Sequence, residues 1–309
     1  MAQPPLADAP MLVNSGRYRD QWHSMTRTGL SPRLSQHRRE PLVELNPLDA
    51  AAAGLIEGDL ARIVSAQGAT VCRVALSDAQ RRGEAFVPIH WTDITSSGGR
   101  AGLLPDSSVD PVSGQPGFKL TPARVEKVAT DWRGFLICRE APARDPDCLW
   151  WTRVRVAGGW LVELAGSGDA SALENLLPAG GRVEAVDSAL GSRRIVVSTG
   201  DRLEAALFVT RDGGLPSREW LIGQLEANAA GPSIRYLAGR APGAQRDQGE
   251  TICACFNVGA KTIRAAIVGQ GLASVDALGA ALGAGTNCGS CRPELARMIS
   301  ERELVDAAQ

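Results

Sequence analysis

The sequence predicts a multidomain protein that is mainly β in its first half, α+β in its middle and helical near its end. Short apolar runs between glycine- and proline-containing turns fill residues 41–128, which is typical of a closed or nearly closed β-barrel. Strand and helix patterns follow over residues 130–238 in the order ββαβββα. The segment 250–309 holds four of the seven cysteines among short helical patterns. A length of 309 residues accommodates two or three such domains.

Composition narrows the class of protein. Hydrophobic residues make up 44% and charged residues 22% of the chain, and the formal net charge is −1, so neither nucleic acid nor an anionic membrane is an expected partner. The sequence contains no run of 18 apolar residues, so no membrane span is predicted. Residues 1–12 lack the pattern of a signal peptide. Cysteines without an export signal indicate the reducing cytosol, where thiols bind metals. We therefore expect a cytoplasmic protein.

The first domain begins after residues 1–11, whose proline and alanine content predicts disorder. The polar run 14–29 reads as a surface loop with arginines suited to a phosphorylated ligand. Asn46, Pro47 and Gly54 predict the cap, first position and end of a short helix. The expected strands are 41–45, 60–65, 69–76, 83–91 and 118–128, with a glycine-, proline- and serine-rich loop at 95–117.

The middle region reads as a small α+β domain with five strands. The expected elements are a hairpin of strands 149–157 and 160–165, a helix 170–177 capped by Asp169, strands 182–186, 194–198 and 202–209, and a helix 217–229. The run 166–171 resembles a phosphate loop but lacks its Gly-Lys-Ser/Thr ending, so a helix cap is the better interpretation. No catalytic set is apparent here, and we expect a spacer or docking platform. Residues 239–249 read as a linker.

Near the end of the chain, Cys253 and Cys255 form a C-x-C pair, and Cys288 and Cys291 form a C-x-x-C pair. Four thiolates suit a [2Fe–2S] cluster or zinc. Helical patterns over 258–271, over 274–282 and after Pro293 would place both pairs near helix N-termini, which favour an anionic cluster. Zinc sites more often use two C-x₂₋₄-C loops, and disulfides need an exported protein, so the cluster is the favoured of the three interpretations.

The three remaining cysteines, Cys72, Cys138 and Cys148, lack partners at metal-ligand spacing. They are expected to be structural thiols. The motif C-x-C-F-x-V-x-x-x-T-I at 253–263, followed by the glycine-flanked C-x-x-C, resembles the [2Fe–2S] domain of bacterioferritin-associated ferredoxin. This resemblance implies that all four C-terminal cysteines ligate the cluster.

Four segments of the first domain occur in one order: 14–29, 47–59, 88–92 and 110–119. Together they resemble the C-terminal pterin-dinucleotide-binding domain of the molybdopterin oxidoreductases. That resemblance implies a double-psi β-barrel over residues 12–128. Among these enzymes the bacterial assimilatory nitrate reductases are the most similar, and they can also carry a C-terminal [2Fe–2S] domain.

The resemblance also implies which residues contact a bis-guanine-dinucleotide molybdenum cofactor. Arginine and lysine would neutralise its phosphates. Gly117 departs from the family, which is expected to have an acidic residue there, and Phe118 takes a position sometimes held by tyrosine. The residues expected to contact the cofactor are Asn14, Gly16, Arg17, Trp22, His23, Thr26, Arg27, His90, Trp91, Gln115 and Lys119.

The function implied is that of the C-terminal portion of a molybdenum-dependent nitrate reductase, which reduces nitrate to nitrite for assimilation. A ferredoxin, flavodoxin or flavoprotein would donate electrons to the cluster. The molybdenum site would lie in upstream domains or in a separate N-terminal half, so the chain alone should be inactive. Two alternatives stay open at this point. One is a stand-alone [2Fe–2S] electron-transfer or iron-carrier protein, and the other is another molybdopterin oxidoreductase such as a formate dehydrogenase.

Overall fold

A computed structural model describes residues 9–227, 231–241 and 248–307, the side chains only as far as residue 302. Residues 1–8 of the segment expected to be disordered, most of the expected linker and the end of the helix expected at 217–229 lie outside the described residues. The expectation of disorder over 1–11 was wrong at Met11, which is buried and begins the first strand. The chain divides into two compact units. The first comprises residues 1–30 and 39–240, and the second comprises residues 31–38 and 241–309.

The first unit begins with a closed barrel of six strands in the order β1-β5-β2-β4-β3-β6. Strands β1 and β5 pair in parallel, as do β2 and β4, and the other neighbours are antiparallel. This closed, mixed barrel confirms the predicted β-barrel. The strands are β1 (Met11–Gly16), β2 (Leu42–Leu45), β3 (Leu60–Val64), β4 (Ala69–Leu76), β5 (Glu84–Pro88) and β6 (Thr121–Val128).

Local sequence signals explain several of the barrel's elements. The side chain of Asn46 accepts a hydrogen bond from Leu48 N at 3.0 Å and caps helix α1 (Pro47–Ala52), as predicted. Gly54 follows the helix with φ +66°, a conformation that glycine adopts without strain. The interpretation of residues 14–16 as loop was wrong, because they continue β1, whose alternate side chains fill the barrel core.

The rest of the first unit is a six-stranded antiparallel sheet in the order β10-β11-β12-β7-β9-β8. The prediction of five strands was wrong, since β7 lies in the sheet centre between β12 and β9. The expected helix at 170–177 is instead a 3₁₀ helix, Ser171–Leu176. The strands are β7 (Trp132–Cys138), β8 (Trp150–Val156), β9 (Gly159–Gly166), β10 (Gly181–Asp187), β11 (Ser192–Thr199) and β12 (Arg202–Thr210), and helix α2 spans Arg218–Glu226.

Both faces of this sheet are covered by apolar side chains. One face carries Phe135, Val154 and Phe208 in a core shared with α2. The opposite face carries Leu136 and Val162 in a second core closed by the 3₁₀ helix. Successive residues of a strand point to opposite faces, so neighbours such as 135 and 136 serve different cores.

Strand β8 joins this sheet to the barrel through backbone and side-chain bonds. Ser97 N donates to the carbonyl of Trp151 at 2.9 Å, and Trp151 N donates to Ser97 Oγ at 2.8 Å. The indole of Trp150 donates to the carbonyl of Val71 at 3.2 Å. The barrel and the sheet therefore form one compact unit.

The second unit contains a two-stranded hairpin and three helices. Its elements are β13 (Thr251–Cys253), β14 (Val258–Gly259), α3 (Ala260–Gln270), α4 (Val275–Leu282) and α5 (Arg292–Ala307). Ile263, Ile267 and Leu278 fill its core, as the apolar periodicity predicts. The hairpin was not predicted. Within the described chain no single helix is long and apolar enough to span a membrane, and only α3 with α4, bent by 108°, meets that test as a pair.

Residues 31–38 belong to the second unit although they lie between β1 and β2 in sequence. The guanidinium of Arg38 pairs with Glu250, and His37 Nε2 lies 4.0 Å from Glu294 Oε2. Ser35 is fully buried. The second unit is thus built from two separate stretches of the chain.

Candidate functional site

The parallel pair β1 and β5 creates the first part of the candidate site. Gly16 is in register with Pro88, so both strands end at the same edge of the barrel. Ile89 N donates to the carbonyl of Gly16 at 2.9 Å and keeps the two chains together as they leave the sheet. Carboxyl ends of adjacent parallel strands commonly hold ligands, because the loops that follow them meet there.

His90 fixes the loop that follows β1. Its Nε2 accepts from Tyr18 N at 2.8 Å, and its Nδ1 lies 2.7 Å from the carbonyl of His23, to which it must donate. Burial is the main cause that lowers the pKa of His90, and the Arg17 charge lowers it further, while the hydrogen bond to His23 opposes both. The imidazole is therefore neutral, with its proton on Nδ1.

Tyr18 anchors the same loop from its other side. Its hydroxyl accepts from Leu42 N at 2.9 Å and donates to the carbonyl of Glu40 at 3.2 Å. Its ring packs edge-on against Trp91 with centroids 5.6 Å apart. This role of Tyr18 could not be predicted, because its partners Leu42, Glu40 and Trp91 are distant along the chain.

The segment that precedes β6 completes the site. Ser15 Oγ donates to the carbonyl of Phe118 at 2.7 Å, which brings this segment to the end of β1. Lys119 Nζ lies 3.8 Å from where a Cβ on Gly16 would be, and Phe86 lies 2.7 Å from that point. Any side chain at position 16 would therefore collide with Phe86 and crowd the lysine.

The structure brings most of the predicted cofactor contacts to the surface at this edge. Within the described chain, the cations Arg17, Arg27 and Lys119 form no ion pair. Their charges are available to an anionic ligand. The predicted residues that are exposed are Arg17, Trp22, His23, Thr26, Arg27, Gln115 and Lys119, while Asn14 and Gly16 are half-buried.

Two of the predicted contacts do not face solvent. His90 is 0% and Trp91 1% exposed, so the expectation that they line the cofactor does not fit this structure. His90 has both ring nitrogens bonded to the loop backbone. Both residues instead support the loop that carries Trp22 to Arg27.

Gln115 lies in the exposed loop 106–119, whose residues line an open cleft of about 440 Å³. Asp110 organises the loop by accepting hydrogen bonds from Val112 N, Ser113 N and Ser113 Oγ. These bonds, chiefly those from Ser113, lower the pKa of Asp110. Lys119 lines the same cleft, which therefore opens at the end of β1.

The two cysteine pairs converge in the second unit. Cys255, in the turn between β13 and β14, has its Sγ 3.3 Å from Sγ of Cys288. Cys253 and Cys291 are 2% and 1% exposed and belong to one apolar core. Two loops 32 residues apart in sequence thus present four thiols to one region.

Helix α5 begins directly after Cys291, as predicted, so the second pair lies at a helix N-terminus. The first pair does not, because β14 separates Cys255 from α3. Among the described residues, no three histidine, cysteine or acidic side chains surround one point closely enough for a single metal ion. The fit to a cluster depends on the convergence of the two loops and on thiol chemistry.

The other three cysteines belong to the first unit, where Cys72 and Cys138 are buried and Cys148 is half-buried. Burial raises the pKa of Cys72 and of Cys138 to about 12, and that of Cys148 to about 11. At neutral pH these side chains are thiols and are poor nucleophiles and poor ligands.

Comparison with known proteins identifies both regions. Residues 11–122 match the family model "Molydopterin dinucleotide binding domain", and residues 251–301 match "BFD-like [2Fe-2S] binding domain". The chain combines a molybdopterin dinucleotide-binding domain with a BFD-like [2Fe–2S] domain. These matches confirm the predicted cofactor classes and the predicted fold of both ends.

The relatives are nitrate reductases and related enzymes. The chain is 37% identical over 301 residues to a nitrate reductase of Klebsiella oxytoca, covering 95% of this chain and 34% of that protein. It is 31% identical to the assimilatory nitrate reductase catalytic subunit of Bacillus subtilis, over 39% of this chain and 16% of that protein. An F420-dependent formate dehydrogenase subunit alpha of Methanocaldococcus jannaschii is 24% identical over 41% of the chain and 18% of that protein. The chain therefore spans between 16% and 34% of the length of these relatives.

Proposed function

We propose that this chain is the cofactor-binding and electron-accepting part of a cytoplasmic molybdenum-dependent nitrate reductase of the assimilatory type. The observation that carries the proposal is the union of two sites in one chain. Arg17 and Arg27 follow β1, Lys119 precedes β6, and none of the three forms an ion pair within the described chain. In the second unit Cys255 and Cys288 have their Sγ atoms 3.3 Å apart, and Cys253 and Cys291 share one apolar core. When bound, a pterin dinucleotide would supply ligands to molybdenum and an iron–sulfur cluster would exchange single electrons.

The barrel residues would hold the dinucleotide through its charges. Arg17 and Arg27 lie on the loop after β1, and Lys119 reaches the same edge from the segment before β6. Guanidinium groups bind phosphate through two parallel hydrogen bonds, and an ammonium group adds a point charge. Trp22, 63% exposed on the same loop, offers an aromatic face to a planar ring.

The four C-terminal cysteines would hold the cluster. Cys288 is exposed and Cys255 half-buried, so an external donor such as a ferredoxin, flavodoxin or flavoprotein could approach that side. The molybdenum site itself would be completed by further domains or by a separate subunit. The nitrate reductase match over 95% of the chain favours nitrate over formate as the substrate, because the formate dehydrogenase match covers 41%.

The cluster is tested by anaerobic reconstitution with iron and sulfide. We expect two irons and two labile sulfides per chain with visible absorption, and their loss in Cys288→Ser. Cys148→Ser is the control, since that half-buried thiol donates to the carbonyl of Trp150, as a serine hydroxyl can, and it should keep its iron. A colourless protein with one zinc per chain would refute the cluster.

The pterin site is tested with guanine dinucleotide cofactor released from a purified molybdoenzyme, and binding is followed by isothermal titration calorimetry. Loss of one charge-assisted phosphate contact in Arg17→Ala or Lys119→Ala should weaken binding about tenfold or more. Arg62→Ala removes an exposed arginine in the middle of β3 and should change little. Equal losses in all three variants would contradict the proposed site.

A further inference from the structure

The loop that carries the proposed cofactor contacts has two sides. Trp22, His23 and Arg27 are exposed, whereas Tyr18 and Met25 are 7% and 4% exposed. The inward side chains do not pack in the barrel core. They lie in the same apolar cluster as one face of the six-stranded sheet.

Three residues from the barrel's ligand edge enter that cluster: Tyr18, Met25 and Trp91. The sheet contributes side chains from β7, β8, β9, β11 and β12, and α2 closes the far side. Just beyond the loop, the 3₁₀ turn Thr28–Leu30 contacts β8. The loop therefore shares a core with the sheet at Tyr18 and Met25, and the turn that follows the loop contacts β8.

The sheet face that shares this cluster with the loop contains a stacked aromatic pair and a buried ion pair. Phe135 and Phe208 stack with centroids 5.0 Å apart and an interplanar angle of 6°. Arg218 lies 4.3 Å above Phe135 and makes a bidentate pair with Glu163, at 2.8 and 2.7 Å. A planar, charge-locked surface of this kind leaves few alternative packings for the side chains above it.

We infer that the middle sheet is the platform that shapes the cofactor loop, and that its loop-facing apolar residues, Val154 among them, are positioning residues for dinucleotide binding. The identity of the ligand rests on the proposed function. The platform itself rests only on the packing of Tyr18, Met25 and Trp91.

The physical reason is the entropy of the loop. Residues 19–27 contain few aliphatic side chains, so without anchors the segment would be disordered before binding. A ligand would then lose affinity by the free energy needed to order it. Anchoring two loop side chains in a preformed core removes that cost in advance.

The test compares two valines. Val154 on β8 faces the loop cluster and is 2% exposed, while Val162 on the adjacent strand β9 faces the opposite core and is 0% exposed. Truncation to alanine removes the same two methyl groups from an equally buried site. Hydrogen exchange of the full chain is followed at the amides of Tyr18, Met25 and Gly29, whose acceptors are known.

Val154→Ala should raise the exchange rate at these amides about tenfold, because the loop loses the packing energy of two buried methyl groups. Val162→Ala should lower global stability similarly and leave these amides unchanged. If Val154→Ala does not fold, Val156→Ala on the same face replaces it. Equal exchange in both variants would overturn the platform.

The same variants are then titrated with the released pterin dinucleotide. Affinity should fall about tenfold in Val154→Ala alone if the platform preorganises the loop. If the wild-type chain binds no dinucleotide while the exchange difference holds, the proposed function fails and the platform stands. Unchanged affinity together with unchanged exchange in Val154→Ala refutes the inference.

Discussion

Replacing His90 with leucine should disorder the loop after β1 without any direct loss of a ligand contact. The change removes one acceptor and one donor, leaving Tyr18 N and the carbonyl of His23 without their side-chain partner. A buried polar backbone group left unsatisfied costs about 1–3 kcal/mol, so the two together cost about 2–6 kcal/mol. If the loop opens, water can bond to these two backbone groups, and the cost is smaller. We therefore expect the loop to open in this variant.

The assay is urea unfolding combined with hydrogen exchange. His23→Leu is the matched control, because His23 is exposed and, among the residues that the structure describes, its ring bonds only its neighbour Ser24. We expect this control to change the free energy of unfolding by less than about 0.5 kcal/mol. The glutamine variant at position 90 keeps a donor and an acceptor and should recover part of the loss.

The outcome separates two roles for His90. A residue that only touched the ligand would leave the ligand-free loop as protected in the leucine variant as in the wild type. A residue that joins the loop to the barrel would change protection before any ligand is added. Equal protection of residues 18–25 in His90→Leu and His23→Leu would refute the joining role.

Protection of the same loop should also fall as the pH drops below about 6.5, the ordinary pKa of histidine. Burial lowers the pKa of His90 in the folded protein, so the folded loop binds a proton more weakly than the unfolded chain does. Hydrogen-exchange protection measured from pH 7.5 to 5 checks this, and a profile that does not change with pH contradicts it. Arg218→Gln should cost about 3 kcal/mol in urea unfolding because it leaves the buried carboxylate of Glu163 without its partner, whereas Arg182→Gln, in a solvent-exposed ion-pair cluster, should lower stability much less. In reduced, metal-free protein, iodoacetamide should modify exposed Cys288 before Cys72 and Cys138, since both of these are buried and burial raises the pKa of each to about 12. Mass spectrometry of the labelled peptides checks this, and a reversed order contradicts it.

The sequence predicted those helices and turns that are determined by residues close together in the chain. The Asn46 cap, Pro47 at the first helical position and Gly54 after the helix act within a few residues, and the structure confirms them. The hairpin turn at Gly158 is of the same kind, with φ +75°. The four C-terminal cysteines could be predicted as ligands because the C-x-C and C-x-x-C spacings are visible in the sequence.

Strand β7 was missed because its decisive contact is tertiary. Gly134 interrupts the apolar run and disfavours a strand on propensity alone. A Cβ at that position would lie 2.4 Å from the carbonyl of Phe208, so close approach of β12 requires glycine there. The residue that weakens the sequence signal is the one that permits the central strand to pair.

The residues that hold the candidate site in place could not be predicted from the sequence either. His90 acts on Tyr18, which lies 72 residues earlier, and Tyr18 packs with a sheet that begins more than 110 residues later. Residues 31–38 join the second unit through Arg38 and Glu250, 212 positions apart. No periodicity within one element encodes such contacts, so a motif identifies contact residues and not the residues that hold them.

The burial of each cysteine side chain determines whether its substitution can test cluster ligation. Cys253 and Cys291 belong to the apolar core of the second unit, so serine at either position would bury a hydroxyl and weaken folding whether or not a cluster binds. Cys288 is exposed, and serine there leaves that core intact. Loss of iron from Cys288→Ser with the helices retained would therefore report ligation, whereas the same loss from Cys291→Ser would be equally explained by unfolding.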